Sequence, residues 1–205
     1  MKIIDGIKIQ GRPFEIPDCS RDDLPKFFKE MGYKVGAEIG VLRGEFTEKF
    51  CQAGLKMYAI DPWMTYSDYR RDSREEPYDV MLAMTFKRLA PYNHVIIKKT
   101  SMEALTDIPD ESLDFVYIDG NHRLSYVISD IYEWSRKVRK GGAICGHDYC
   151  ANSRSPYSHQ ACHVIPAVNT YTNVYGITSW YLLGEYRAKE SEKRDKHRSF
   201  LWIKQ

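Results

Sequence analysis

The stretch Val35-Gly36-Ala37-Glu38-Ile39-Gly40-Val41-Leu42-Arg43-Gly44-Glu45-Phe46 decides how the rest of the chain is read. It has the form of a short buried strand, a glycine turn and the opening of a helix. An acid, Glu38, stands two places before the first turn glycine. Gly40 and Gly44 bracket the turn, where glycine permits positive φ and lets a ligand lie against backbone with no Cβ in the way. The helix expected after Gly44 aims its unpaired N–H groups into the same crevice, where open α/β sheets bind small ligands. A dinucleotide fingerprint needs Gly-x-Gly-x-x-Gly, and Leu42 stands where its second glycine would be. Glu38 would repel a pyrophosphate and welcome a cation. Taken alone, the stretch also fits a strand–glycine–helix turn with no ligand.

Working outward, apolar runs predict strands at 57–60, 94–97, 113–119 and 143–145. Helices are expected from 24 to Gly32 after a Ser20–Asp23 capping box, over 46–53 up to Gly54, and over 80–89. Leu124, Val127, Ile128, Ile131 and Val138 share one face of a further helix. Lys137, Arg139 and Lys140 are expected in its last turn and Gly141-Gly142 at its stop. Residues 1–19 read as an irregular arm and 102–111 as a connection. A helix over 164–172 precedes strands at 177–183 and 200–203, joined by a charged segment, 184–198, that reads as a solvated loop. The alternation implies one α/β domain over 1–205: a Rossmann-like, doubly wound, mostly parallel sheet closed by an antiparallel C-terminal hairpin.

The 205 residues carry 30 basic and 28 acidic side chains, a net charge of +2, which calls for neither nucleic acid nor an anionic membrane. No apolar run reaches the ~20 residues of a membrane span, and no signal-peptide core opens the chain. Five cysteines without Cys-x-x-Cys point to a reducing compartment. The expectation is a cytoplasmic protein with a small-molecule partner; the sequence assigns no oligomeric state.

Five expected strands end in polar residues on one rim: Glu38, Asp61, Ser101, Asp119 and the pair His147-Asp148. A carboxylate at Asp61 could accept two hydrogen bonds from ribose hydroxyls, or serve as a turn residue before Pro62. The arrangement resembles class I S-adenosylmethionine (SAM) dependent methyltransferases from about residue 20 onward. The resemblance implies SAM as cofactor, with Glu38, Gly40 and Gly44 at the methionine end and Asp61 at the ribose. It also implies Ser101 and Met102 at the adenine, and Asp119 beside the cofactor. Asp119-Gly120-Asn121-His122 and Gly146-His147-Asp148 further resemble metal-dependent O-methyltransferases of catechols and natural-product sugars. That implies Asp119, His147 and Asp148 as ligands of Mg²⁺ or another divalent cation, and His122, with Asp119, in the catalytic role of base. His147 departs from the acid usual there and would suit an ion softer than Mg²⁺.

Rivals share the scaffold: a nicotinamide-dependent oxidoreductase, disfavoured by Leu42 and Glu38; a non-catalytic SAM-binding protein or partner-docking module, which would need no base; and a hydroxylase or other metal enzyme. Cys145, His147, Cys150, His159, Cys162 and His163 are dense in a short span, but their spacings match no zinc-finger or ribbon pattern. Segments 62–80 and 149–163 are lid candidates, with Tyr66, Tyr69, Arg70, Arg71, Tyr78, Tyr149 and Tyr157.

Overall fold

A computed structural model describes residues 1–65, 76–151, 161–187 and 189–205. Tyr66, Tyr69, Arg70, Arg71, Tyr157 and His159 lie outside the described residues.

In chain order the elements are α1 (Ile3–Gly6), β1 (Phe14–Ile16), α2 (Leu24–Glu30), β2 (Val35–Ile39), α3 (Glu45–Gln52), β3 (Lys56–Ile60), α4 (Tyr78–Leu89) and β4 (His94–Ile97). They continue with α5 (Ser101–Ala104), β5 (Leu113–Ile118), α6 (Leu124–Lys137), β6 (Val138–Tyr149), α7 (Val164–Val174), β7 (Tyr181–Leu183) and β8 (Arg198–Ile203). The described strands form one sheet in the order β1-β7-β8-β6-β5-β2-β3-β4, parallel except for β8, which runs antiparallel to β6 and β7.

Strand alternation sorts the core into two faces. Phe115 and Tyr117 face Phe28, Phe46 and Phe50 from α2 and α3. Val116 and Ile118 face Val127, Ile131 and Trp134 of α6. Gly36 makes the first face possible, because a Cβ there would fall 2.1 Å from the Phe115 ring. β2 lies between β5 and β3, so the strand order reverses beside it and a crevice opens at its carboxyl end.

The doubly wound sheet agrees with the sequence; several details do not. The expected arm contains α1 and the edge strand β1, whose Phe14 N–H donates to the Trp180 carbonyl at 2.9 Å. Pro13 and Pro17 flank β1, a placement an edge strand tolerates. The hairpin of β7 and β8 is antiparallel as expected, yet β1 lies outside it, and residues 177–180 are not strand. Helix α6 stops at Lys137, so Arg139 and Lys140 belong to β6 rather than to a helical last turn. Gly141-Gly142 are also inside β6, where a Cβ on Gly142 would fall 2.5 Å from the Asp114 carbonyl oxygen. Close approach to β5, not helix termination, is what requires that glycine. Residues 101–107 are helical, with Thr100 accepting from the Glu103 N–H in a capping box.

Candidate active site

The crevice beyond β2 is a cleft of about 800 Å³ walled by the glycine loop, Asp61, Ser101, Asp119 and His122 among others. Its glycine loop is held from several directions. Asp61 Oδ2 accepts the Val41 and Leu42 N–H groups, both at 3.0 Å, and its Oδ1 accepts Trp63 N–H at 2.7 Å. Leu42 has φ +54, a left-handed backbone where the fingerprint would place glycine. Its carbonyl accepts from Trp63 Nε1 at 2.7 Å and Thr85 Oγ1 at 3.0 Å. Gly40, at φ +88, packs so tightly that a Cβ would fall 2.2 Å from the Asp119 carbonyl oxygen. Gly44 (φ +73) turns the chain into α3 beside Thr85. Asp61 therefore anchors the loop as well as lining the cleft. Burial pushes its carboxyl up, against the three backbone donors.

Glu38 is 2% exposed and accepts from Thr47 Oγ1. Desolvation pushes its carboxyl up to about 8, with Asp119 and Asp61 adding to the rise and Thr47 and Arg21 opposing it. A cationic ligand beside it would favour the ionised form. At the other end of the cleft, Ser101 Oγ donates to Asp130 and accepts from Trp134 Nε1 at 2.7 Å. Burial lifts Asp130 to about 7. Met102 also lines this end. The buried Asn121 Nδ2, on the cleft wall, meets no acceptor among the described residues, as a donor awaiting a ligand would.

The rim beyond β5 and β6 is a histidine–carboxylate cluster. His122 Nε2 lies 3.3 Å from Asp119 Oδ1 and 3.3 Å from Asp148 Oδ2. His147 Nδ1 lies 3.6 Å from Asp119 Oδ2 and 3.2 Å from Asp148 Oδ1. The β6–β8 register shifts between Gly146 and Tyr149, and Asp148 has φ +56. Such a bulge re-aims side chains, so consecutive residues that would alternate across a strand meet on one rim. Burial pushes Asp148 up, but the His147 hydrogen bond and the His122 and His197 partners win, and it falls well below the usual range. Burial lowers His122 while Asp119 and Asp148 raise it, for a net rise.

The structure thus places Glu38, Asp61, Ser101, Asp119 and His122 on one cleft, while His147 and Asp148 lie beside Asp119 without lining it. Two further partners carry no sequence signal. Arg21 leaves the turn before α2 to lie 5.1 Å over the Phe46 ring, with its guanidinium 3.5 Å from Asp119 Oδ2. His197, at the end of the segment expected to be solvated, has Nδ1 2.8 Å from Asp148 Oδ1. No periodicity marks either residue. Of the lid tyrosines described, Tyr78 lines the cleft. Tyr149 is core instead: it packs near Trp180 and donates to Asn169 Oδ1 at 2.9 Å.

Residues 37–149, more than half of the chain, match the family described as a methyltransferase domain. The uncharacterized protein y4gI of Sinorhizobium fredii (strain NBRC 101917 / NGR234) is 30% identical over 122 residues, 54% of this chain and only 12% of that protein's length. The O-methyltransferase from Bacillus cereus in complex with SAH superposes with TM-score 0.60 at 13% identity, over 90% of this chain and 80% of that chain. TomG from Streptomyces achromogenes, an O-methyltransferase of tomaymycin synthesis in complex with SAM, gives 0.59 at 9% identity, over 90% and 79%. An rRNA methylase from Streptococcus thermophilus gives 0.59 at 14% identity, over 88% and 93%. At such identities the structural likeness is one of fold alone, and it extends over acceptors of different kinds. Together with the family match it disfavours the nicotinamide reading: the chain belongs to the methyltransferase-domain family and shares the fold of SAM- and SAH-bound methyltransferases.

Proposed function

We propose that the protein methylates a hydroxyl oxygen of a small molecule, with a divalent cation at Asp119, His147 and Asp148 and His122 as base. The observation that carries this is His122 Nε2 held between two carboxylates at the mouth of the cleft. SAM supplies an electrophilic methyl group on a sulfonium. Glu38 provides negative charge beside the glycine loop, Asp61 its remaining lone pairs, and Asn121 Nδ2 a free donor. Ser101 and Met102 form the far wall. One donor atom each from Asp119, His147 and Asp148 lie within 4.8 Å of one another, a set that fits a cation. The carboxylates suit Mg²⁺ or Mn²⁺, and His147 extends the choice to borderline ions. A cation held there would supply Lewis acidity that lowers the pKa of the acceptor's hydroxyl. His122 Nε2 takes the proton, and Asp119 and Asp148 stabilise the resulting imidazolium.

The test measures methyl transfer from SAM to a panel of phenols and sugars, alongside S-adenosylhomocysteine affinity. His122→Ala is expected to lower turnover by about 10²–10⁴-fold with that affinity unchanged. Loss of both together would mean damage to the fold. Turnover that survives exhaustive chelation would remove the cation, and binding without turnover on any acceptor would favour a non-catalytic SAM-binding protein.

A further inference from the structure

We infer that Asp148, Cys150 and His197 form a second cation site, suited to a thiophilic divalent ion of the zinc class and distinct from the Asp119 rim. Tyr149 pairs with Arg198 across antiparallel β6 and β8, so Cys150, one residue onward, comes opposite His197, one residue back. The left-handed backbone at Asp148 closes a tight turn in which Cys150 N–H donates to the Asp148 carbonyl at 2.7 Å. That turn brings the thiol back toward its neighbour's carboxylate. One donor atom from each of the three residues lies within 4.8 Å of the others, and His197 Nδ1 is 2.8 Å from Asp148 Oδ1.

Zinc bonds of ~2.0–2.3 Å would draw these atoms together by small side-chain movements. A second sulfur lies nearby, since Cys162 Sγ donates to the Asp148 carbonyl at 3.3 Å. Thiolate, imidazole and carboxylate together select zinc-class ions over Mg²⁺. Cys150 is half-buried and the His197 side chain is 42% exposed, which leaves an entry path. The ion would tie the end of β6 to the start of β8. Sequence spacing could not show this, because His197 arrives through strand pairing. The site shares only Asp148 with the proposed methyl-transfer machinery and does not depend on it.

The experiment titrates the reduced, metal-free protein with Co²⁺ and then Zn²⁺. Near-stoichiometric Co²⁺ should produce thiolate-to-cobalt charge-transfer absorption in the near ultraviolet, which Zn²⁺ abolishes. Cys150→Ser should remove that absorption, and His197→Gln should weaken Zn²⁺ binding by about tenfold or more. Circular dichroism melts check that both variants fold. Asp119→Asn, which disables the rim centre, should retain the band. No thiolate band in the native chain, an unchanged band in Cys150→Ser, or its loss in Asp119→Asn would each overturn the assignment. S-adenosylhomocysteine binding with chelator present, measured on the same samples, reads the methyltransferase site separately.

Discussion

The two halves of the cleft are built in opposite ways. The glycine-loop half is held by backbone: Asp61 accepts three main-chain N–H groups, and the strained Leu42 is secured by its own N–H and carbonyl. The rim half is held by side chains from β5, β6 and the segment before β8, meeting at distances of 2.8–3.6 Å. The first half is preorganised and its parts are inseparable from the fold. The second is a cluster of ionisable groups whose partners can be exchanged for a ligand. Damage to the first should therefore register as lost stability and lost binding together, whereas damage to the second should register as altered chemistry.

Asp61→Ala should break this contrast most visibly, because it leaves three partly buried main-chain N–H groups without their acceptor. We expect a loss of about 3 kcal/mol of stability together with most S-adenosylhomocysteine affinity, read by denaturant unfolding and calorimetry. Stability unchanged with affinity lost would assign Asp61 to ligand alone. Gly40→Ala comes next: it places a Cβ against the Asp119 carbonyl at positive φ, and should cost about 2 kcal/mol. A melting temperature equal to the native one would mean the loop yields.

The smallest effect concerns Glu38. Its carboxyl is raised from 4.5 to about 8, so the folded chain holds a proton that the unfolded chain releases. Its contribution is fully present below the unfolded value and is lost as pH rises through about 8. The ligand-free protein should therefore lose stability between about pH 5 and pH 8, and Glu38→Gln should flatten the profile by an amount on the order of 1–2 kcal/mol. SAM, with its sulfonium, should gain affinity relative to S-adenosylhomocysteine over the same range in the native chain only. Parallel pH profiles for native and Glu38→Gln proteins would remove Glu38 from the cation role.

Much of the glycine-loop half was legible because parallel strands are continuous apolar runs, and polar residues at or just beyond the carboxyl end of a run lie beside the crevice. Glu38, Asp61, Ser101 and Asp119 stand out on that ground. Asp130 and Trp134 belong to a helix whose apolar face is visible, but their hydrogen bonds to Ser101 cross from another element and leave no local signal. The three-residue strand β1 escapes detection for a related reason: its pairing with β7 joins segments far apart in sequence.

Local pattern was enough to specify the alternation of strands and helices, the glycine turn with its acid, and the carboxylates and histidines near the strand ends. What those groups touch was settled only in three dimensions. Asp61 became a loop anchor, Arg21 came to lie on Phe46 beside Asp119, and a charged segment delivered His197 to Asp148. The reason is register. The bulge in β6 and the antiparallel β8 set which side chains face one another through hydrogen bonds between distant segments, and no stretch of either strand encodes that pairing on its own.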